Sequence, residues 1–286
     1  MNEIFNTLKN AQYQHIKTVE EKIQNAIKIK KSLFYDYFET FLFDGAKRLR
    51  PLFIFLVSNF EEFKIDEDVY NLAASVELLH SASLIHDDIL DDAELRRNHP
   101  VIHIEKSTKE AVLAGDYLLS LSMDFISKIK NNNVFSILAN ASYKMVESEI
   151  YSLSKRFQKI EKDEYFEILK NKTSSLFIAS IEALYEIKNK PKNPDILNFT
   201  KEFSIIFQLK DDINNFLNCD EKKLSNDSSC GITTLPYILG AKNNKDYAII
   251  GEVKNFLNNK IELTEKILKN YKNNENLILL LNLFRG

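Results

Sequence analysis

Residues 69–92 read VYNLAASVELLHSASLIHDDILDD. Apolar side chains recur at helical spacing through this stretch and lie on more than one face of the helix, among them Leu72, Val76 and Leu79. A helix that is apolar most of the way round is buried among other helices. The stretch therefore predicts a central helix of an α-helical protein, with a cluster of aspartates at its end.

A second stretch has the same design. Residues 196–217 read ILNFTKEFSIIFQLKDDINNFL, which is again apolar on most sides and again carries acidic residues towards its end. Between Pro100 and Pro191 there is no proline and one glycine, Gly115, whereas β-hairpins need turn residues at short intervals. No linker or internal repeat divides the chain. The sequence therefore predicts an all-α fold in which residues 1–286 form a single helical-bundle domain.

Composition narrows the class of protein. The formal charge of −3 and the isoelectric point of about 6.0 argue against a nucleic-acid-binding protein, because such proteins usually carry a basic excess. The two cysteines, Cys219 and Cys230, are too few for a disulfide framework and favour a reducing compartment. The N-terminus lacks a signal-peptide apolar segment, and no apolar run approaches the roughly 20 residues of a membrane span. We expect a cytoplasmic protein without a membrane span.

The acidic clusters need a counter-charge. Asp87 and Asp91 lie one helical turn apart on the same face, and Asp211 and Asn215 have the same spacing. Like charges four residues apart destabilise a helix, and acids near its C-terminus oppose the helix dipole. Mg²⁺, which binds one or two carboxylates together with substrate phosphates, would supply the missing charge. The alternative is that each cluster is a solvated helix end.

Several cations flank these clusters. Lys47 and Arg50 are three residues apart, the pair Arg96–Arg97 follows the first cluster, and His80 lies two turns before Asp87. Lysine and arginine are suited to binding phosphate. Two further cations accompany the second half of the chain, Lys172 and Lys222. By itself, the basic run before Pro51 could equally be a solvated turn. By itself, His80 could be a structural residue.

The order of these motifs resembles that of the trans-isoprenyl diphosphate synthases. The motifs are GxKRLRP, LLHxxSLIHDDxxD, RR, KT and FQxxDD, and they span residues 45–236. This resemblance implies an all-helical enzyme of the isoprenoid synthase fold, homodimeric and with a deep central cavity. It is closest in pattern to the medium- and long-chain, octaprenyl-type members, because the first aspartate-rich motif has two residues between Asp88 and Asp91.

The resemblance also implies roles for individual residues. The metal ligands would be Asp87, Asp88 and Asp91 of the first aspartate-rich motif and Asp211 and Asp212 of the second, which together would hold three Mg²⁺ ions. The isopentenyl diphosphate site would consist of Lys47, Arg50, His80 and Arg97. The allylic diphosphate would be bound by Arg96, Lys172 and Lys222. Thr173 and Gln208 would lie near the developing carbocation, and Arg96 and Lys172 would also assist catalysis.

The implied reaction is chain elongation. Magnesium and cationic side chains would make the allylic diphosphate a leaving group, the isopentenyl double bond would attack the resulting cation, and the departing diphosphate would take the proton. Ala82 and Ser83, below the first aspartates, are small and would leave the cavity deep. The sequence therefore predicts a product longer than C15, in the range C30 to C40. The alternative is that these small residues serve close helix packing.

The chain departs from the family pattern at a few positions. Asn98 replaces a glycine after the arginine pair, and Ala46 replaces a glycine in the basic motif. Asn215 replaces the third acid of the second motif, and Ile232 replaces a lysine, so that the second half of the predicted site has less charge than usual.

Three other functions each fit part of the sequence. A terpene cyclase would need Ser or Thr at 215 and Glu at 219, where the chain has Asn215 and Cys219. An HD-type phosphohydrolase would use His86–Asp87 but leaves the second cluster and the basic motif unexplained. A non-catalytic or weakly active partner subunit of a hetero-oligomeric prenyl synthase stays an alternative, because of Asn215 and Ile232.

Overall fold

The computed structural model describes residues 2–30, 33–217, 234–241 and 243–285. Its helices, in chain order, are α1 (Asn2–Ala11), α2 (Tyr13–Ile29), α3 (Tyr35–Phe43), α4 (Leu49–Phe60), α5 (Glu67–Leu90), α6 (Ile102–Glu105), α7 (Thr108–Ile126), α8 (Asn133–Ser154), α9 (Lys162–Leu169), α10 (Ser175–Lys188), α11 (Pro194–Leu217), α12 (Leu235–Ile238), α13 (Tyr247–Leu268) and α14 (Glu275–Asn282). A π-helical turn, Lys170–Ser174, joins α9 to α10. The all-α fold class is confirmed.

The chain packs into two compact units, each of which contains one aspartate-rich motif. The first-motif unit consists of Thr7–Ser136 and Ala183–Lys190, and the second-motif unit consists of Met1–Asn6, Ile137–Glu182 and Pro191–Gly286. The expectation that residues 1–286 act as one domain stays a prediction. No helix within the described ranges is long and apolar enough to cross a membrane.

Helix α5 is the core of the first-motif unit. It begins where the Asp66 side chain accepts a hydrogen bond from the Val69 backbone nitrogen at 3.3 Å, and two acids in the first turn complement the helix dipole. It packs most extensively against α7, and also against α2 and α4. The Ser122 hydroxyl on α7 donates to the Ser75 carbonyl on α5 at 2.9 Å. These small side chains allow the two helices to approach closely.

Helix α11 has the corresponding place in the second-motif unit, where it packs against α13 and the π-helical turn. Its buried aromatic side chains include Phe199 and Phe203, whose rings stack at 6.3 Å. Phe177 and Phe284 each meet Phe203 edge to face. Burial on several sides of α5 and α11 is what the two apolar stretches predict.

A short hairpin follows α5 and was not predicted. Strands β1 (Leu95–Arg96) and β2 (His99–Pro100) pair antiparallel, with Arg96 opposite His99. The two turn residues, Arg97 and Asn98, have φ angles of 52° and 69°. A two-residue hairpin turn needs such left-handed residues, and asparagine tolerates them well. The turn therefore forms without the glycine usual at position 98, and it sets where both arginines point.

Candidate active site

The end of α5 presents the first aspartate-rich motif. The Asp91 backbone nitrogen donates to the Asp87 carbonyl at 2.9 Å, so that these two residues occupy successive turns of one face. Both are partly exposed, whereas Asp88 is only 2% exposed. Oxygen ligands on adjacent turns suit Mg²⁺, which completes its shell with water and substrate phosphates. Among the described residues, no group of three or more His, Cys, Asp or Glu could hold a metal alone.

Arg96 neutralises the buried Asp88 carboxylate. Its Nε lies 3.0 and 2.8 Å from the two Asp88 oxygens, and its Nη2 lies 2.7 Å from Oδ1. A buried carboxylate needs such a partner because an unpaired charge is costly in the interior. Both oxygens of Asp88 thus accept hydrogen bonds from Arg96, and the metal role predicted for Asp88 would compete with this ion pair.

The second arginine of the hairpin is held by backbone carbonyls. Arg97 Nη1 donates to the carbonyls of Phe41 and Asp44, at 3.2 and 3.1 Å. Burial and the neighbouring Arg96 lower the pKa of Arg97. Both arginines line a cavity of about 270 Å³ that is also lined by Tyr37, whose pKa is raised to about 12 by burial and by the charge of Asp88. Three acidic side chains, Asp36, Asp44 and Glu105, line the same cavity, so its charge is mixed.

His80 lies within the electrostatic field of these cations. Burial lowers its pKa well below the ordinary value, and the charges of Arg50, Arg96, Arg97 and Arg48 lower it further. Three of the cations that the sequence singled out for diphosphate binding thus contribute to the electrostatic potential at His80. Lys47 is exposed in the loop before α4, whereas Arg50, at the start of α4, is 8% exposed. A histidine kept neutral here can donate one hydrogen bond to an anion without adding to the charge.

We predict that His80 makes the folded protein less stable at acid pH. The unfolded chain binds a proton at His80 near pH 6.5, but the folded chain does not until well below that pH. The stability associated with neutral His80 is therefore complete above pH 6.5. Below this pH it is lost at about 1.4 kcal/mol per pH unit until the folded pKa is reached.

The measurement is the free energy of unfolding in urea between pH 5 and 8, for the natural protein and for His80→Asn. The slope with pH should be smaller in the variant. Equal slopes in the two proteins would show that His80 can be protonated in the folded state.

A hydrogen-bonded chain surrounds Asp212 in the second-motif unit. The Thr173 hydroxyl donates to Gln208 Oε1 at 2.9 Å, and Gln208 Nε2 donates to Asp212 Oδ1 at 2.9 Å. The Tyr165 hydroxyl donates to Asp212 Oδ2 at 2.5 Å. Asp212 is 6% exposed. Three residues that the sequence singled out are thus connected, and both oxygens of Asp212 are fixed in place.

Tyr165 is a functional candidate that sequence reasoning missed. Its place in the helical pattern of α9 predicts an apolar core position, and its side chain is indeed 3% exposed. Its hydroxyl nevertheless reaches a carboxylate 47 residues away along the chain. The sequence could have indicated this role, because a tyrosine at a buried position normally has a hydrogen-bond partner for its hydroxyl.

We predict that Tyr165→Phe lowers enzymatic activity about 10- to 100-fold, the usual cost of removing a residue that orients a metal ligand, the role that the sequence predicts for Asp212. Activity should be measured against Mg²⁺ concentration, with a higher half-saturating concentration in the variant. Tyr151→Phe is the matched control, because Tyr151 also donates to a carboxylate, Glu164, at 2.5 Å, but on the surface. Equal activity of the two variants would contradict the role of Tyr165.

The remaining predicted residues are placed as follows. Lys172 lies in the π-helical turn and forms an ion pair with Glu149 at 2.5 Å, and such turns are frequent at functional sites. Asn215 is exposed. Ala82 is 4% exposed, and the Ser83 hydroxyl donates to the His80 carbonyl at 2.8 Å. Lys222 and Ile232 lie outside the described residues, as do Cys219 and Cys230. The chain-length role of Ala82 and Ser83 stays a prediction.

The fold and these side chains define a helical protein with carboxylates at the end of a central helix and two arginines in the hairpin that follows it. The family model for polyprenyl synthetase matches residues 31–272. Heptaprenyl diphosphate synthase component 2 of Geobacillus stearothermophilus is 29% identical over 82% of this chain and 75% of its own length. Geranylfarnesyl diphosphate synthase of Methanosarcina mazei is 34% identical over 72% of this chain and 68% of its own length.

Solved structures agree with this match. Octaprenyl pyrophosphate synthase from Helicobacter pylori superposes with a TM-score of 0.80 at 25% identity, covering 96% of this chain and all of that one (100%). A decaprenyl diphosphate synthase from Rhodobacter capsulatus has the same fold, with a TM-score of 0.81 at 23% identity over 98% of this chain and 97% of that one. The chain belongs to the polyprenyl synthetase family.

Proposed function

We propose that the protein condenses isopentenyl diphosphate with an allylic diphosphate, releases diphosphate, and forms a polyprenyl diphosphate longer than C15. The observation that carries this proposal is the cluster of carboxylates and arginines at the end of α5, where Asp87 and Asp91 occupy successive turns and Arg96 binds the buried Asp88 carboxylate. Such a cluster suits a diphosphate, and the carboxylates suit the magnesium that accompanies it. The family match favours chain elongation over a terpene cyclase or a phosphohydrolase.

The roles that we propose for the side chains are those that the resemblance to the trans-isoprenyl diphosphate synthases implies. Lys47, Arg50, His80 and Arg97 bind isopentenyl diphosphate, while Arg96, Lys172 and Lys222 bind the allylic diphosphate. Asp87, Asp88 and Asp91 in the first-motif unit, and Asp211 and Asp212 in the second-motif unit, would be the ligands of three Mg²⁺ ions, whose charge would stabilise the leaving diphosphate. The allylic C–O bond breaks and its electron pair leaves with the diphosphate. The isopentenyl double bond forms the new C–C bond, and the proton passes to the released diphosphate.

Thr173 and Gln208 assist this reaction as dipoles near the carbocation. Their mutual hydrogen bond, and the one from Gln208 to Asp212, fix their orientation before substrate binds. Dipoles that are already oriented stabilise developing charge without a reorganisation cost. This is the catalytic contribution that we assign to the second-motif unit.

We place the enzyme in the cytoplasm as a homodimer. The exposed apolar side chains of α7 include Val112, Leu113 and Met123, and those of α8 include Val146 and Ile150. Exposed apolar side chains on a helix, in either unit, are candidates for contacts with a second chain. Light scattering should give twice the 33.2 kDa mass of one chain.

The proposal is tested by incubating the purified protein with Mg²⁺, farnesyl diphosphate and excess isopentenyl diphosphate, followed by mass spectrometry of the product. Products longer than C15 are expected, and removal of Mg²⁺ by a chelator should abolish them. A product that stops at C15 would contradict the predicted chain length. No chain growth from the pure protein would contradict the enzyme and favour a partner subunit.

A further inference from the structure

Arg48 differs from the other two cations of the 45–51 loop. Lys47 is exposed and Arg50 lies at the start of α4, whereas Arg48 is 2% exposed. Its backbone is left-handed, with a φ of 56° and a ψ of 35°, and it is the residue that precedes α4. A non-glycine residue in this region costs about 1–2 kcal/mol, so the turn needs stabilisation from elsewhere.

Two carboxylates supply that stabilisation. Arg48 Nε donates to Glu20 on α2 and Nη1 donates to Glu77 on α5, each at 2.9 Å. The guanidinium carbon also lies 5.2 Å from the centre of the Phe43 ring. Burial opposes the charge of Arg48, but the two carboxylates outweigh it and raise the pKa of the guanidinium. Arg48 is therefore held as a cation inside the first-motif unit, tied to two helices.

The ion pair with Glu77 links the loop to the helix that carries His80. Glu77 and His80 are three residues apart on α5 and lie about one turn from each other on the same side. Arg48 stands directly after Lys47 and two residues before Arg50. A shift of Arg48 would therefore move both loop cations relative to His80.

We propose that Arg48 is a positioning residue whose buried ion pairs with Glu77 and Glu20 hold the left-handed turn that orients Lys47 and Arg50 for isopentenyl diphosphate. This proposal rests on the proposed function of the same site. Arg48 itself does not touch the substrate. It sets the spacing of the groups that do, which is why a residue as costly as a buried arginine with positive φ stands in this loop.

The main variant is R48M/E77M. Removing Arg48 alone would leave Glu77 buried without a counter-charge, but replacing both members of a buried ion pair by apolar side chains is often neutral for stability. Glu20, one-third exposed, can turn to water. We expect R48M/E77M to remain folded but to bind isopentenyl diphosphate at least tenfold more weakly by titration calorimetry, with binding of farnesyl diphosphate in the presence of Mg²⁺ changed less than twofold.

A matched control is K188M. Lys188 forms a partly buried ion pair with Asp66 at the other end of α5, at 2.6 Å, without contact to the 45–51 loop. K188M should lower the melting temperature and leave both dissociation constants unchanged. If R48M/E77M does not fold, R48K is the variant to test, because one ammonium group cannot reach both carboxylates in the same way. R48K should also weaken the binding of isopentenyl diphosphate selectively.

The outcomes separate the two proposals. If the natural protein does not bind isopentenyl diphosphate, the proposed function fails. The positioning role fails if the natural protein binds isopentenyl diphosphate and a folded Arg48 variant binds it equally well. It also fails if the variant loses affinity for isopentenyl diphosphate and farnesyl diphosphate to the same extent. In either case Arg48 serves stability alone.

Discussion

Asp87→Asn is expected to lower the rate of prenyl transfer about 1,000-fold at saturating substrate. The change keeps the shape of the side chain and removes one charge from the end of α5, where Asp87 and Asp91 occupy successive turns. A metal that stabilises the leaving group contributes several kcal/mol to the transition state. The loss of about 4 kcal/mol corresponds to this factor of 1,000. The measurement is turnover as a function of Mg²⁺ concentration.

The matched control is Asp92→Asn. Asp92 belongs to the same acidic run, but it is exposed, has a left-handed backbone with a φ of 48°, and has no predicted role. Its variant should retain full activity. Both variants should melt close to the natural protein, since Asp87 is partly exposed. Activity of Asp87→Asn within tenfold of the natural protein would contradict its role as a metal ligand.

Gly115→Ala is expected to destabilise the protein by about 2 kcal/mol and to lower activity about 100-fold. A methyl group at Gly115 on α7 would lie 2.2 Å from Nε2 of His86 on α5. That ring lies against α7, 3.4 Å from the Val112 carbonyl and 3.6 Å from Asp116. The ring would have to leave, and His86 immediately precedes the first aspartates. A misplacement of about 1 Å can cost a factor of about 100 in rate.

The control for this prediction is Gly251→Ala. Gly251 is also a helical glycine, in α13, but nothing lies within 4 Å of the added carbon. Alanine there should stabilise the helix by up to about 1 kcal/mol. The double variant Gly115→Ala with His86→Ala should recover much of the lost stability, because it removes the clashing ring. Urea unfolding checks both results, and no recovery would show that the clash is not the cause.

Secondary structure was largely predictable from the chain. The two apolar stretches and the near absence of glycine and proline between residues 101 and 190 predicted buried helices, and α5 and α11 are such helices. The hairpin that carries Arg96 was not predicted, because its turn lacks the usual glycine and each strand has only two residues. The division into two compact units was not predicted either. Helices α8 and α10 continue across the unit boundaries, so the sequence has no linker there.

The candidate site was predictable in residue type but not in arrangement. Two hydrogen bonds join Thr173, Gln208 and Asp212, all named from the sequence, yet Tyr165 completes that chain from a position that is apolar by pattern. The ion pair between Arg96 and Asp88 was also unforeseen. Sequence spacing shows which residues share a helix face. It does not show which hydroxyl or guanidinium group from another part of the chain will bind them.

The sequence by itself determined the helical class, the family and the pairing of Asp87 with Asp91, because helix periodicity is a local property of 3.6 residues per turn. Only the tertiary structure distinguished Lys47, Arg48 and Arg50, which have the same charge. Arg48 alone of the three is shown bound to a pair of carboxylates, 28 and 29 residues away in the chain. Burial and long-range partners of this kind exist only once the helices have packed.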